Sequence, residues 1–158
     1  VAIRSAWADG RAAALATNGA RAMVTDPARV AVFRRVVDVV TDQDRWPLVW
    51  HCSAGKDRAG WVGTVVLLAL GVERDAIAAH YLESNVAASS QSAALLESGW
   101  MTEEVLELAR PFMEVAPGYV EAQLVAVDDH WGGAGAMLRA GFGFDDQRLA
   151  DLRSRLLD

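Results

Sequence analysis

The chain has 158 residues and a mass of 17.0 kDa, one domain's worth of sequence with room for a substantial core. It is 53% hydrophobic with a mean hydropathy of +0.14, a formal net charge of −6 and an isoelectric point near 5.0, which excludes disorder and a broad basic surface for nucleic acid. A single Cys excludes an internal disulfide and a Cys-rich zinc site, and no apolar run approaches a membrane span. No signal peptide is recognisable; the cytoplasm is the default compartment, with secretion left open.

In chain order, residues 1–25 are Ala-rich, with Gly10, Asn18-Gly19 and no clear period, and read as irregular or partly helical. Asp26-Pro27 has the form of an N-cap followed by proline at N1. Val30, Phe33, Val36, Val37 and Val40 then recur at helical spacing opposite Arg34, Arg35 and Asp38, predicting a helix that ends near Thr41. Asp42 and Asp44 fall in a solvated loop. Pro47-Leu48-Val49-Trp50 predicts a buried strand.

Residues 60–70 are apolar, too long for one strand, and closed by Gly71, a good helix C-cap; this predicts a buried helix. Residues 72–84 predict a second helix with Ile77, Ala78 and Tyr81 inward and His80 as a half-buried structural histidine. Residues 86–98 are small and weakly amphipathic, and suggest a mobile helix or lid. Thr102, followed by Glu103 and Glu104, caps a helix that ends or kinks before Arg110-Pro111, with Phe112 and Met113 as core or pocket-lining residues.

A helix from Pro117 to Trp131 ends at Gly132-Gly133. Its Asp128-Asp129-His130 run lacks partners at ligand spacing and reads as helix-end charge rather than a metal site. A short helix over 134–140 and a final one capped by Asp145, with Leu149, Leu152 and Leu156 inward, complete the chain. One strand is too few for a sheet, so partner strands are expected from residues 1–25 or from a segment outside this sequence.

The chemistry is concentrated in residues 51–60, HCSAGKDRAG, which hold the only Cys and the only Lys; the other fourteen basic residues are all Arg. A strand-to-helix junction here offers unpaired N–H groups and the positive end of a helix dipole, a natural anion site. Ser53, Ala54 and Gly55 keep its wall thin, so backbone amides from Ser53 to Arg58 can cradle a phosphoryl group while Arg58 grips two oxygens in a fork. The same field lowers the pKa of Cys52 and favours its thiolate.

This loop resembles the protein tyrosine phosphatase superfamily, whose signature is HCxxGxxR followed by Ser or Thr. It is closer still to bacterial tyrosine and lipid phosphatases with an HCxAGKDRTG loop. Looser similarity continues at Gly71-Val72, over residues 79–85 and over residues 117–122. The resemblance implies a helix-rich α/β fold, a parallel sheet flanked by helices with a helical lid. It also implies metal-free, cofactor-free hydrolysis of phosphomonoesters through phosphocysteine, releasing inorganic phosphate.

By that resemblance Cys52 is the nucleophile, Arg58 binds and stabilises the phosphoryl group, and residues 53–58 are the cradle. His51 orients the loop. Asp57 is the first choice for the general acid; the alternative is a carboxylate that only pairs with Arg58 or Lys56. Lys56 suits a polyphosphorylated head group or else only adds field to the thiolate. Substrates would be phosphotyrosine proteins first and phosphoinositides second.

Two departures stand out. Ala59 replaces the hydroxyl that helps sulfur leave the phosphocysteine, and nothing matches the family's upstream segment, so a single phosphatase domain over 1–158 is expected to lack its N-terminal part. A phosphate-binding module without turnover is therefore the competing reading. A cysteine hydrolase of acyl groups, using Cys52 with His51, is a third.

Overall fold

The computed structural model describes residues 10–157. Its elements are α1 (Arg11–Thr25), α2 (Pro27–Val40), a 3-10 turn (Gln43–Arg45), α3 (Asp57–Leu70), α4 (Arg74–Leu82), α5 (Ser84–Glu97), α6 (Glu103–Met113), α7 (Pro117–Trp131), α8 (Ala134–Ala136) running into a π turn (Met137–Gly141), and α9 (Asp146–Leu156).

The centre of the core is α3, buried around most of its circumference by Trp61, Val62, Thr64, Val65, Leu68 and Ala69. It packs on α2, α4 and α9, while α1 lies along α7 and touches α6. Val37, Ile77, Val127 and Met137 meet α3 in one apolar cluster with no exposed surface of their own. Polar ties fix the ends: Arg153 donates to the Ala69 carbonyl at 2.8 Å near the α3 C-terminus, and Trp131 donates to the Val24 carbonyl at 3.0 Å.

Local signals set the helix boundaries. Asp26, Thr102 and Asp145 accept from backbone N–H groups as side-chain N-caps, and Pro27 and Pro117 open their helices. Gly71 and Gly132 close α3 and α7 at positive φ, the left-handed conformation that favours glycine.

The expected parallel sheet is not there: no strand forms among the described residues. Residues 47–50 run as an irregular connection with Val49 90% exposed. A strand closes its hydrogen bonds only against a neighbour, and no described segment pairs with this one, whereas a helix satisfies its backbone internally.

Smaller corrections concern helices. Residues 11–25, expected to be irregular or partly helical, form all of α1, because Ala20, Met23 and Val24 find a buried partner surface; residues 1–9 of the same stretch lie outside the described residues. The Thr102-capped helix runs through Pro111 to Met113, since a proline one turn from the C-terminus loses only one backbone bond. Residues 86–98, expected as a mobile helix or lid, fall largely in a helix, α5, packed on α6. His80 is exposed and contacts Glu83 at 3.2 Å rather than half-buried.

Candidate active site

Residues 51–56 form a tight turn ahead of α3, with Gly55 at φ 71°, and Asp57, Arg58 and Ala59 begin the helix. The turn wraps Cys52. Burial pushes the Cys52 thiol up, but the backbone N–H groups of Ala59, Ala54, Gly55 and Arg58 point at the sulfur and outweigh it, so the thiol lies below its ordinary value. The lowering comes from these backbone amides.

The two cations of the loop have separate partners. Arg58 donates to Ser53 Oγ at 2.7 Å, which leaves most of its five N–H donors open. Lys56 turns into the protein, where its ammonium meets Asp57 Oδ1 at 2.9 Å and Oδ2 at 2.7 Å. Asp57 thus pairs with Lys56. His51 is exposed, with Nδ1 3.2 Å from the Cys52 carbonyl oxygen, and the Trp50 indole donates to the Ala59 carbonyl at 3.1 Å.

Lys56, Asp57 and Arg58 open onto a cavity of about 580 Å³ whose other walls are mainly apolar. Leu15 and Met23 of α1, Val32 and Phe33 of α2, and Phe112 of α6 supply them. The sequence marks Phe112 as a core or pocket-wall residue; it gives no such mark for the α1 residues, because a helix without a clear apolar period offers no face to assign.

Behind the loop stands Tyr81, buried, with a hydroxyl that has no hydrogen-bond partner among the described residues. A Cβ on Gly60 would come within 2.8 Å of the Tyr81 ring, so this glycine permits the contact. Burial raises the Tyr81 pKa first, then the Asp57 carboxylate, Tyr119 and Cys52; Tyr119 is likewise raised by burial and by Asp57. Both phenols of the chain therefore lie in the field of Asp57. A glycine in the first turn of an apolar helix, where alanine is the better helix former, was the available signal for this close approach.

The model of the tyrosine phosphatase family matches residues 3–158. The chain belongs to that family. It is 37% identical over 119 residues, 74% of its own length and 42% of the relative's, to a protein of Cupriavidus necator named as a tyrosine-protein phosphatase. It is 34% identical over 104 residues, 59% of its own length and 38% of the relative's, to the triple specificity protein phosphatase PtpB of Mycobacterium tuberculosis. The chain thus spans about two-fifths of the length of these relatives.

The other acidic residues noted in the sequence fall outside the site. Asp26 caps α2 and Asp42 caps the 3-10 turn while pairing with Arg45 at 2.8 Å. Asp128 pairs with Arg74 at 2.7 Å and Asp129 with Arg21 at 3.5 Å, so both act as helix-end charges.

Proposed function

We propose that this chain hydrolyses phosphomonoesters by way of a phosphocysteine on Cys52. The observation that carries the reading is the convergence of four amides on one sulfur, which favours the thiolate and is the kind of donor array that binds an anion.

In the first step the Cys52 thiolate attacks phosphorus and the bond to the ester oxygen breaks, with Asp57 giving that oxygen a proton. Arg58 and the amides of residues 53–58 stabilise charge on the equatorial oxygens throughout. In the second step water attacks phosphorus, its proton passes to Asp57, the S–P bond breaks, and phosphate leaves with the thiolate restored. Ala59 offers the departing sulfur no hydroxyl, so this second step is the slow one.

The favoured substrate class is an aryl phosphate, of which phosphotyrosine is the protein-borne form. The apolar cavity walls support it over a phosphoinositide. Of the three cations on the lining, Lys56 faces Asp57 and Arg29 faces Asp26 at 3.7 Å, while Arg58 has no carboxylate in salt-bridge reach among the described residues.

Ala59 favours one other reading, a phosphate-binding module without turnover. An aryl phosphate assay on wild type and Cys52→Ser separates the two: vanadate-sensitive turnover lost in the variant supports the enzyme, and tight phosphate binding without turnover supports the module. The acyl-hydrolase reading has little support, since the His51 contact is with the Cys52 carbonyl and not its sulfur.

A further inference from the structure

Lys56 is the chain's only lysine, and only 4% of its surface is exposed. An ammonium carries three N–H donors and accepts nothing. Three acceptors stand around it: Asp57 Oδ2 at 2.7 Å, Asp57 Oδ1 at 2.9 Å and the Glu114 carbonyl oxygen at 3.4 Å. They occupy its donors and offset its charge, the condition under which a buried cation is tolerated. Glu114 is also the C-cap of α6, the end of a helix where a cation is favoured.

The chain around Glu114 is gripped from two other sides. The Tyr119 hydroxyl donates to the Pro111 carbonyl at 2.9 Å. Asn85 donates to the Val115 carbonyl at 2.9 Å and accepts the Val115 N–H at 2.8 Å. Lys56 is the tie that joins this fixed stretch to the phosphate loop. Phe112, within it, lines the same cavity as Lys56, Asp57 and Arg58.

We propose that Lys56 is a positioning residue: it sets the distance between the phosphate cradle and the wall formed by residues 111–115, and through that distance selects which ester groups fit. It does not serve as a second cation for the substrate. The selected class is a stiff, flat aryl phosphate, whose ring would lie in the cavity that Phe112 shares with the α1–α2 wall. Additional phosphates on a substrate gain nothing from Lys56, because its donors face Asp57 and Glu114. The kinetic part of this proposal rests on the phosphatase reading; the structural part does not.

The test compares Lys56→Met and Lys56→Arg with wild type in the intact protein, by two measurements. Amide hydrogen exchange over residues 111–119 needs no turnover: it is expected to quicken about tenfold in the Met variant, the scale of one lost charge-assisted hydrogen bond, and to stay near wild type in the Arg variant, which can reach both acceptors. Unchanged exchange in the Met variant overturns the proposal. In kinetics, the Met variant should lower kcat alike for 4-biphenylyl phosphate, phenyl phosphate and a soluble inositol polyphosphate, because Asp57 loses its partner, and should raise KM about tenfold for the first alone. A loss concentrated on the inositol polyphosphate overturns the proposal in favour of direct contact between Lys56 and substrate phosphates. Should wild type turn over none of the three, the phosphatase reading falls, and the exchange measurement still decides whether Lys56 ties the wall to the loop.

Discussion

The two flanks of the phosphate loop are both apolar in sequence and opposite in structure. Residues 47–50 run irregularly with Val49 in solvent, whereas α3 carries Trp61 and Val65 with no exposed surface at all. The helix is self-sufficient: its backbone bonds close internally and its side chains meet α2, α4 and α9. Two of the four amides that hold the Cys52 sulfur, those of Arg58 and Ala59, belong to its first turn, and the other two, Ala54 and Gly55, sit immediately before it. These amides therefore belong to the helical side of the loop, and the preceding segment reaches that side through the Trp50 indole, which donates to the Ala59 carbonyl.

The strongest way to break this comparison acts on the cradle itself. Cys52→Ser should reduce aryl phosphate turnover by at least about 10³-fold with stability nearly unchanged, and Arg58→Lys by about 10²-fold, because the fork is lost while the charge stays. Steady-state assay with thermal denaturation checks both. Equal stability with undiminished activity in either variant would remove the site from the reaction.

Next comes the helical flank. In Gly60→Ala the new methyl meets the Tyr81 ring at 2.8 Å, an overpacking cost of about 1–3 kcal/mol, against a gain in helix propensity of about 1 kcal/mol. The clash outweighs the gain, so a net loss of up to about 2 kcal/mol is expected in chemical denaturation. On the other flank Val49→Ser should lie within about 0.5 kcal/mol of wild type, as surface changes usually do. A reversal of that order would show that the two flanks contribute alike.

Ala59→Thr sharpens the chemistry rather than the fold. The added hydroxyl should speed breakdown of the phosphocysteine, so the burst in rapid-quench kinetics shrinks and turnover rises several-fold, a gain of about 1 kcal/mol from one hydrogen bond to the departing sulfur. No rise would locate the slow step elsewhere.

The amino-acid sequence announces whatever is settled locally. The caps at Asp26, Thr102 and Asp145, the prolines at 27 and 117 and the closing glycines at 71 and 132 all appear where short-range chemistry requires them. The loop of residues 51–60 is legible for the same reason: its parts lie within ten positions. What depends on distant partners is hidden. Residues 47–50 carry a strand's pattern, but pattern alone provides no neighbour. The Ala-rich α1 lacks a visible face because α7, about a hundred residues away, decides which side is buried. The inward turn of Lys56 brings it to a carbonyl 58 positions downstream, a partner that nothing local in the sequence points to.

The central claim concerns the charge on one sulfur, and the most direct measurement is the rate of Cys52 alkylation by iodoacetamide against pH, with and without inorganic phosphate. A lowered pKa means that the thiolate survives as pH falls below the ordinary thiol value of about 8.5, and is protonated only when pH passes the lowered value. The account expects rapid alkylation at neutral pH, a midpoint below that ordinary value, and protection by phosphate. A midpoint at or above it, with phosphate giving no protection, would contradict the claim that these amides form an anion cradle around Cys52.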